Sequence, residues 1–336
     1  MQRSLTRIGL TLLSIAATAL TAQASASDKI TCGITVRKDA EAACTRIIRN
    51  PTTKPADRFM AYYNRGWYYR RGGDLDKSLA DFDAAERVDR DFANLYLSRG
   101  MLKREQRDLQ GALEDLDIYV IHKPKDWNGY FQRALVFRQM GKPDQAMKPL
   151  LKAIELKPFE RDLKPLYALV LLDLGRLAEA VKEAESLVAS RRSDPVSFYV
   201  RAVVAKQRGA TQNAMADLKK ALNRSILFPA AYALRGLILE ERGETDEAKK
   251  AYRMSLKNGG PVLDQETSQD YAQRRLDELE QRTNGLKVSS TKVSQPDTDR
   301  HLKRASSTSV RKLEVAQDCR RYIPSAAATV AVPCGS

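Results

Sequence analysis

The sequence predicts an all-α fold of repeated helix-turn-helix units, and a 34-residue spacing of small side chains is the main reason. Steps of 34 residues from Gly66 meet only glycine or alanine, at Gly66, Gly100, Ala134, Ala168, Ala202 and Gly236. Twelve residues further along each unit, small side chains recur at Ser78, Ala112, Ala146, Ala180, Ala214 and Ala248. Helices approach closely only where their side chains are small. These two sets therefore predict where helix A and helix B of each unit cross.

The turn between the two helices carries its own signal. Seven residues after the first small position stand Gly73, Arg107, Gly141, Gly175, Gly209 and Gly243. Glycine adopts the left-handed conformation that ends many helices, so these residues predict the end of helix A. Acidic residues follow the turn at Asp74, Asp144 and Glu244, where the dipole of helix B favours negative charge.

Large side chains fill the remaining core positions of the repeat. Helix A carries Tyr62, Tyr96, Tyr130, Phe198 and Tyr232, and helix B carries Phe82, Leu116, Leu150, Leu218 and Tyr252. The fourth unit departs from this pattern, because Lys164 and Ala184 stand at the two positions. We expect that unit to pack more loosely or to bend the array.

The segment "YYNRGWYYRRGGDLDKSLADFDAAERVD" resembles a tetratricopeptide repeat (TPR) almost residue for residue. The resemblance implies a right-handed α-solenoid of six 34-residue units over residues 59–262, about 60% of the chain. The units would start at Phe59, Ala93, Trp127, Arg161, Pro195 and Pro229. Such motifs are specific for the fold and nearly silent on function.

Capping helices are expected at both ends of the array, because a terminal repeat has no neighbour to cover its apolar face. Residues 27–58 are the predicted N-terminal cap, and 263–283 the predicted C-terminal capping helix. Residues 284–310 are rich in polar side chains and predict a flexible linker. Residues 311–336 are the predicted tail, which a disulfide between Cys319 and Cys334 would close, and its "ATVAV" sequence favours an extended segment.

Residues 1–26 have the pattern of a secretory signal peptide. Arg3 and Arg7 precede an apolar run from Ile8 to Ala22, and small residues suited to cleavage follow. The alternative of a membrane anchor is disfavoured, since the run of about fifteen residues is short for a span. The sequence therefore predicts export to the periplasm or the medium, in a Gram-negative bacterium.

Four cysteines fall into two local pairs, Cys32 with Cys44 and Cys319 with Cys334. Three connectivities are possible, and an oxidising compartment favours two local disulfides over free thiols. A metal site is less favoured, because no CxxC motif or nearby histidine accompanies the cysteines.

Catalysis finds little support in the sequence. The two histidines, His122 and His301, fall at the end of a helix B and in the linker, and no GxSxG, HExxH, P-loop or GxGxxG pattern occurs. We therefore predict a protein that is not an enzyme and that uses no cofactor or metal.

A recurrent arginine precedes the small residue of helix A, at Arg65, Arg99, Arg133, Arg201 and Arg235. Sixteen residues later, helix B carries Asp81, Asp115, Glu183 and Asp217, so three units contain both partners. Ion pairs within each repeat are the favoured interpretation. A ligand-binding row of arginines is the alternative.

The face of helix A that lines the groove in TPR proteins corresponds here to an aromatic and basic surface. The predicted groove residues are Met60, Tyr63, Trp67, Arg70, Arg71, Asn94, Leu97, Met101, Arg104, Asn128, Phe131, Leu135, Arg138, Gln139, Tyr199, Val203 and Lys206. Among them, Arg70, Arg104, Arg138 and Lys206 share one position of the repeat and predict a basic stripe. The hypothesis is that the first three units bind an acidic, extended partner segment. A solvated basic face without a ligand is the alternative.

The carboxylate clamp of chaperone-binding TPR domains is not expected here. Tyr63 and Trp67 stand where that pattern has lysine and asparagine, and Ser98 where it has asparagine. The leading function is therefore a periplasmic adaptor or scaffold that binds a protein or peptide. The alternative is a charge-driven binder of acidic envelope polymers or an anionic membrane surface, since the chain carries a net charge of +15. Export argues against nucleic acid, and any membrane association would be peripheral.

Overall fold

A computed structural model describes residues 26–190, 194–257, 263–291, 320–323 and 328–331, and it is almost entirely helical. A first helix, α1, covers 26–33. The following helices are α2 Ala40–Arg49, α3 Pro55–Gly72, α4 Leu75–Val88, α5 Ala93–Glu105, α6 Leu109–His122, α7 Trp127–Gln139, α8 Pro143–Leu156, α9 Leu163–Asp173, α10 Leu177–Ser190, α11 Pro195–Gln207, α12 Thr211–Arg224, α13 Pro229–Glu241, α14 Thr245–Ser255 and α15 Gln265–Thr291. Strands β1 (Arg320–Ile323) and β2 (Ala328–Ala331) pair antiparallel, with Arg320 opposite Ala331.

The chain divides into two compact units. Unit 1 takes in the described residues up to Val136 together with Leu151–Lys157. Unit 2 takes in Phe137–Leu150 and the described residues from Pro158 onward. Within unit 1, α3 packs on α4 and α5 on α6. Within unit 2, α9 packs on α10, α11 on α12 and α13 on α14. The predicted all-α fold of paired helices is confirmed, while the count of six units stays a prediction.

Helix A begins where the sequence predicts it in four of the units, at Ala93, Trp127, Pro195 and Pro229. The first unit differs, since α3 begins at Pro55 instead of Phe59. Proline suits the first turn of a helix, whose amide groups have no partner inside the helix. In the fourth unit, α9 begins at Leu163 instead of Arg161.

The two small positions of a unit lie where its helices cross. A Cβ atom built on Gly66 would lie 2.7 Å from the ring of Phe82, and Ser78 Oγ donates a hydrogen bond to the carbonyl of Gly66 at 2.8 Å. The turn glycines also behave as predicted, with φ between 70° and 82°. Arg107 takes the same left-handed conformation, with φ 68°. The turn geometry is therefore kept even where a side chain makes it less favourable.

At the N-terminal end, a disulfide joins α1 to α2. Cys32 and Cys44 are bonded, with their Cα atoms 4.8 Å apart, so this predicted pair is confirmed. The two residues lie one 34-residue period before Gly66 and Ser78. The disulfide therefore stands where the repeat places its two small residues. The other predicted pair, Cys319 with Cys334, lies outside the described residues, as does the predicted signal peptide up to residue 25.

The C-terminal end differs from the predicted boundaries. Helix α15 runs to Thr291, whereas the sequence placed its end at residue 283 and a linker from 284. Once a helix is nucleated, each further residue adds a backbone hydrogen bond, so polar composition alone does not fix its end. The rest of the predicted linker lies outside the described residues. In the tail, β2 coincides with the predicted extended segment. Throughout the described segments, no helix combines the length and the apolar character that a membrane crossing requires.

Candidate functional site

In unit 1, the A helices α3 and α5 lie side by side and present the first part of the predicted groove. The hydroxyl groups of Tyr63 and Ser98 are 3.0 Å apart. The ring of Tyr63 also packs against Phe92, with centroids 5.4 Å apart. The Trp67 ring packs against Phe82 and carries the Arg70 guanidinium 4.8 Å from its centroid. The side chains of Tyr63 and Trp67 are half-buried, and these contacts hold their rings in place.

The outer part of the same surface is open. Met60 is 41% exposed, which makes it one of the few exposed large apolar side chains of unit 1. Arg71 and Asn94 are exposed as well, and Leu97 and Met101 are half-buried. We call the set Met60, Tyr63, Trp67, Arg71, Asn94, Leu97 and Met101 the α3–α5 surface.

The predicted basic stripe is wrong as a solvent-facing feature. In three of its four members, the cation is paired with a carboxylate 35 residues further along the chain: Arg70 with Glu105 at 2.5 Å, Arg138 with Asp173 at 2.7 Å and Lys206 with Glu241 at 2.9 Å. The fourth member, Arg104, is only 1% exposed. A charge at a helix–helix interface loses its hydration, so the next helix A supplies a compensating group.

Two aromatic residues of the predicted groove are also withdrawn from solvent. Phe131 is 8% exposed and packs against Trp127, and Tyr199 is 1% exposed. Helix α11, which carries Tyr199, buries most of its residues from Val196 to Val204. Asn128 is half-buried, and its backbone N–H group donates a hydrogen bond to Asp126 Oδ1, with the nitrogen and the oxygen 2.9 Å apart. The helix A face of unit 2 is therefore packed rather than open around Tyr199.

A buried polar cluster in unit 2 explains this packing. Asp264, directly before α15, accepts hydrogen bonds from Arg138 and from the Tyr199 hydroxyl, the latter at 2.9 Å. Burial alone would lower the pKa of Arg138, but the charges of Asp264 and Asp173 outweigh it and raise that pKa above its ordinary value. Sequence reasoning missed Asp264, because 126 residues separate it from Arg138 and no repeat position marks it.

The predicted ion pairs within the repeats are confirmed where both partners are present. Each guanidinium donates two hydrogen bonds to the carboxylate sixteen residues later, in Arg65–Asp81, Arg99–Asp115 and Arg201–Asp217. Arg133 pairs instead with Asp117, sixteen residues earlier, at 2.9 Å. These arginines act as links between helices.

Over the described ranges, no three or more histidine, cysteine, aspartate and glutamate side chains gather in a way that could hold a metal ion. His122 is exposed and its ring stacks on Tyr96, with centroids 6.5 Å apart. His301 lies outside the described residues.

The paired helices and the recurring ion pairs between arginine and carboxylate side chains are the features of a helical repeat protein. Family models described as "Tetratricopeptide repeat" match residues 37–94, 128–160 and 229–257. The chain therefore contains tetratricopeptide repeats, and the predicted repeat class is confirmed. No curated protein sequence matches the chain.

Solved structures of TPR proteins are similar in fold. A TPR protein from Parabacteroides merdae matches with a TM-score of 0.64 and 20% identity, over 75% of this chain and 99% of that one. PilW, a type IV pilus biogenesis factor, matches with a TM-score of 0.48 and 17% identity, over 60% of this chain and 93% of its own. YrrB, a TPR protein with an unusual peptide-binding site, matches with a TM-score of 0.43 and 19% identity, over 57% and 97%. At these identities the likeness concerns the fold alone.

Proposed function

We propose that the protein is an exported adaptor that binds a segment of a partner protein on the α3–α5 surface. The observation that carries the proposal is the row of Met60, Tyr63 and Trp67 along α3, all three partly exposed, with the rings of Tyr63 and Trp67 held in place by their neighbours. Aromatic and arginine side chains supply much of the binding energy at protein interfaces. Because these side chains are already fixed, little rotamer freedom is lost on binding.

The charges of this surface favour a mostly apolar segment with one acidic group. Arg70 is neutralised by Glu105, so it does not offer a free positive charge. Arg71 is exposed at the end of α3 and remains available to a carboxylate. An extended segment with apolar side chains over Met60 and Trp67 and an acidic residue at Arg71 would match the surface.

Export to the periplasm of a Gram-negative bacterium is part of the proposal. It rests on the pattern of residues 1–26, and the Cys32–Cys44 disulfide supports an oxidising compartment. Cell fractionation with the tagged full-length chain tests the export. Release of the protein with the periplasmic contents supports export, and recovery only in the cytoplasm contradicts it.

The binding proposal is tested with the double variant Met60→Glu and Arg71→Glu in a crosslinking pull-down from envelope extract. Both side chains are accessible, so the change should abolish partner capture without unfolding the helices. The matched control is Ile121→Glu with Arg90→Glu, since Ile121 is 76% exposed and Arg90 is exposed, both away from this surface. Equal loss in both variants, or no loss in either, would contradict the proposal.

A second candidate is charge-driven binding of an acidic envelope polymer, which the net charge of +15 favours. Such binding weakens steeply as salt rises, because it depends on screened charges. Capture that persists in about 0.5 M salt, where the Debye length falls to about 4 Å, supports the adaptor. Recovery of acidic polymers alone, lost at that salt concentration, supports the second candidate.

A further inference from the structure

A cleft of about 390 Å³ lies within unit 2, between α10 on one side and α11 and α12 on the other. Its walls carry four alanines, at Ala184, Ala205, Ala210 and Ala216. Its polar side chains are Glu185, Arg201, Arg208, Asn213, Asp217 and Lys220. The volume falls in the range of about 300–1,000 Å³ that is typical of ligand sites.

At four positions, the residues that line the cleft are smaller than those at the same repeat positions in unit 1. Three 34-residue periods earlier, in unit 1, the positions of the four alanines hold Phe82, Lys103, Asp108 and Glu114. Phe82 is fully buried there and fills the space between the helices. In unit 2 the corresponding residue is the much smaller Ala184, which is among the residues that line the cleft.

The cleft lacks two of the hydrogen-bond acceptors that surround the equivalent arginine in unit 1. Arg99 of unit 1 binds Asp115 in its own repeat, and its Nη1 atom donates to Asp83 at 2.8 Å and to Glu86 at 2.5 Å. The equivalent Arg201 binds Asp217 through Nε and Nη2. Its side chain is 30% exposed, against 7% for Arg99. Among the described residues, Asp217 is the one carboxylate that forms an ion pair and hydrogen bonds with Arg201.

The reason lies in the two positions that correspond to Asp83 and Glu86. Glu86 is replaced by Val188, which cannot accept a hydrogen bond. Asp83 is replaced by Glu185, which is exposed and, within the described part of unit 2, forms no ion pair with Arg201. The Nη1 group of Arg201 therefore lacks the two carboxylate acceptors that the Nη1 group of Arg99 has in unit 1.

The remaining charges of the cleft are positive on balance. Asp217 accepts the bidentate pair from Arg201 and lies 3.6 Å from Lys220 Nζ. Arg208 is exposed at the rim, and Glu185 is the opposing acidic group there. Three cations therefore face two carboxylates, so an added anion would be attracted.

We propose that this cleft binds a carboxylate side chain of a partner protein. The carboxylate would accept from Arg201 Nη1, with Arg208 and Lys220 at the rim, and would complete the arrangement that Asp83 and Glu86 complete around Arg99. The aliphatic part of the entering side chain would rest on the alanines. The site is separate from the α3–α5 surface, and its test does not depend on that surface binding a partner.

The test uses fluorescein-labelled hexaglutamate as the probe and hexaglutamine as its neutral counterpart, with binding followed by fluorescence polarisation. The expected result is saturable binding of hexaglutamate that weakens at least about tenfold in Arg208→Ala with Lys220→Ala, because hydrogen-bonded charge pairs are the strong ones. The charge-matched control is Lys219→Ala with Arg242→Ala, both exposed and outside the cleft. This control should bind almost as well as the unmodified chain.

Two further variants separate the cleft from general charge attraction. Ala184→Leu should abolish binding without any change of charge, and leucine stands at the equivalent position in other repeats as Leu116, Leu150 and Leu218. Glu185→Gln should strengthen binding, because it removes the competing carboxylate. Melting curves confirm that each variant is folded.

Four outcomes would overturn the proposal. They are no binding of hexaglutamate, equal binding of hexaglutamine, an equal loss in the control variant, and binding that Ala184→Leu leaves unchanged. If polygalacturonate binds and Ala184→Leu does not affect it, the cations act as a diffuse polymer-binding surface and the cleft is not a site.

Discussion

At the scale of single residues, the arginine that precedes each small position decides how firmly neighbouring helices are linked. Arg99 is the most connected, since Asp83, Glu86 and Asp115 all accept from it. Burial alone would lower its pKa, but the hydrogen bonds and charges of Asp115 and Glu86 outweigh that effect and raise the pKa above its ordinary value. The hydrogen bond from Arg99 in turn lowers the pKa of Glu86 below its ordinary value of 4.5.

This lowered pKa predicts an acid-sensitive contribution to stability. A carboxyl group whose pKa is lower in the folded state stabilises the fold above its ordinary pKa, and that stabilisation is lost as the pH falls through the folded value. Glu86→Gln should therefore lose less stability than the unmodified chain between about pH 5 and about pH 3. Urea midpoints at the two pH values measure the difference. Parallel losses in both proteins would contradict the prediction.

At two of the helix crossings, a glycine faces an aromatic ring that stands sixteen residues later in the chain. Gly66 and Gly236 face the aromatic rings of Phe82 and Tyr252, and a Cβ atom on Gly236 would lie 2.5 Å from Tyr252. Gly236→Ala should therefore destabilise the protein by about 1–3 kcal/mol through overpacking. Urea unfolding measures this.

A reciprocal change provides the control for that prediction. Ala202 precedes the smaller Leu218 by the same sixteen residues, so Ala202→Gly should cost the helix propensity of glycine, about 1 kcal/mol, and the burial of one methyl group, about 0.8 kcal/mol. If Gly236→Ala stabilised the protein, as alanine does at an uncrowded helix position, the crowding at Tyr252 would not be the deciding factor.

At the scale of helices, the disulfide replaces the close contact of two small residues. Cys32 and Cys44 occupy the positions that Gly66 and Ser78 occupy one period later, and both cysteines are buried. The helices α1 and α2 therefore correspond to a shortened unit at the start of the array. A covalent bond suits this place, because α1, over 26–33, is too short to be stable as an isolated helix.

Removing that bond should destabilise the N-terminal end while leaving its packing intact. Cys32→Ala with Cys44→Ala keeps small side chains at the crossing, so the loss should be mainly the loop-closure entropy, about 3 kcal/mol. Hydrogen exchange of α2 amides in the oxidised chain and in the variant measures it. The chain treated with reductant is the matched control and should behave as the variant does. Unchanged protection in α2 would show that helix packing alone holds this end.

At the scale of the whole molecule, unit 2 is held by a contact between residues far apart in sequence. Arg138 at the end of α7, Tyr199 in α11 and Asp264 before α15 meet in one buried cluster. The helix α15 also packs on α13 and α14. The cluster therefore fixes the start of α15, the C-terminal capping helix, and the packing on α13 and α14 holds the rest of it.

Asp264→Asn should weaken unit 2 while it preserves the shape of the side chain. Asparagine tolerates the left-handed backbone at this residue, where φ is 59°, but it lacks the charge that Arg138 requires. The expected loss is about 2 kcal/mol, typical of a hydrogen bond to a charged group. Urea unfolding measures it, with Asp277→Asn on the exposed face of α15 as the control. Equal stability of the two variants would show that the cluster contributes little.

The sequence by itself determined the repeat, the helix pairs and the turn glycines, and it favoured the first disulfide, which the structure contains. Each depends on residues close together in the chain or on one recurring period, and so a fixed spacing reports it directly. The ion pairs of Arg65, Arg99 and Arg201 belong to the same class, because both partners lie within one repeat.

Only the tertiary structure decided which polar groups are free. The basic stripe looked open in the sequence, yet Glu105, Asp173, Asp264 and Glu241 neutralise it, because burial at a helix interface requires a partner for each charge. Asp264 comes from outside the repeat, where no period predicts its position. The cleft beside Arg201 also depends on packing in three dimensions. The sequence marked Ala184 as a departure, and the structure showed the space that this departure leaves.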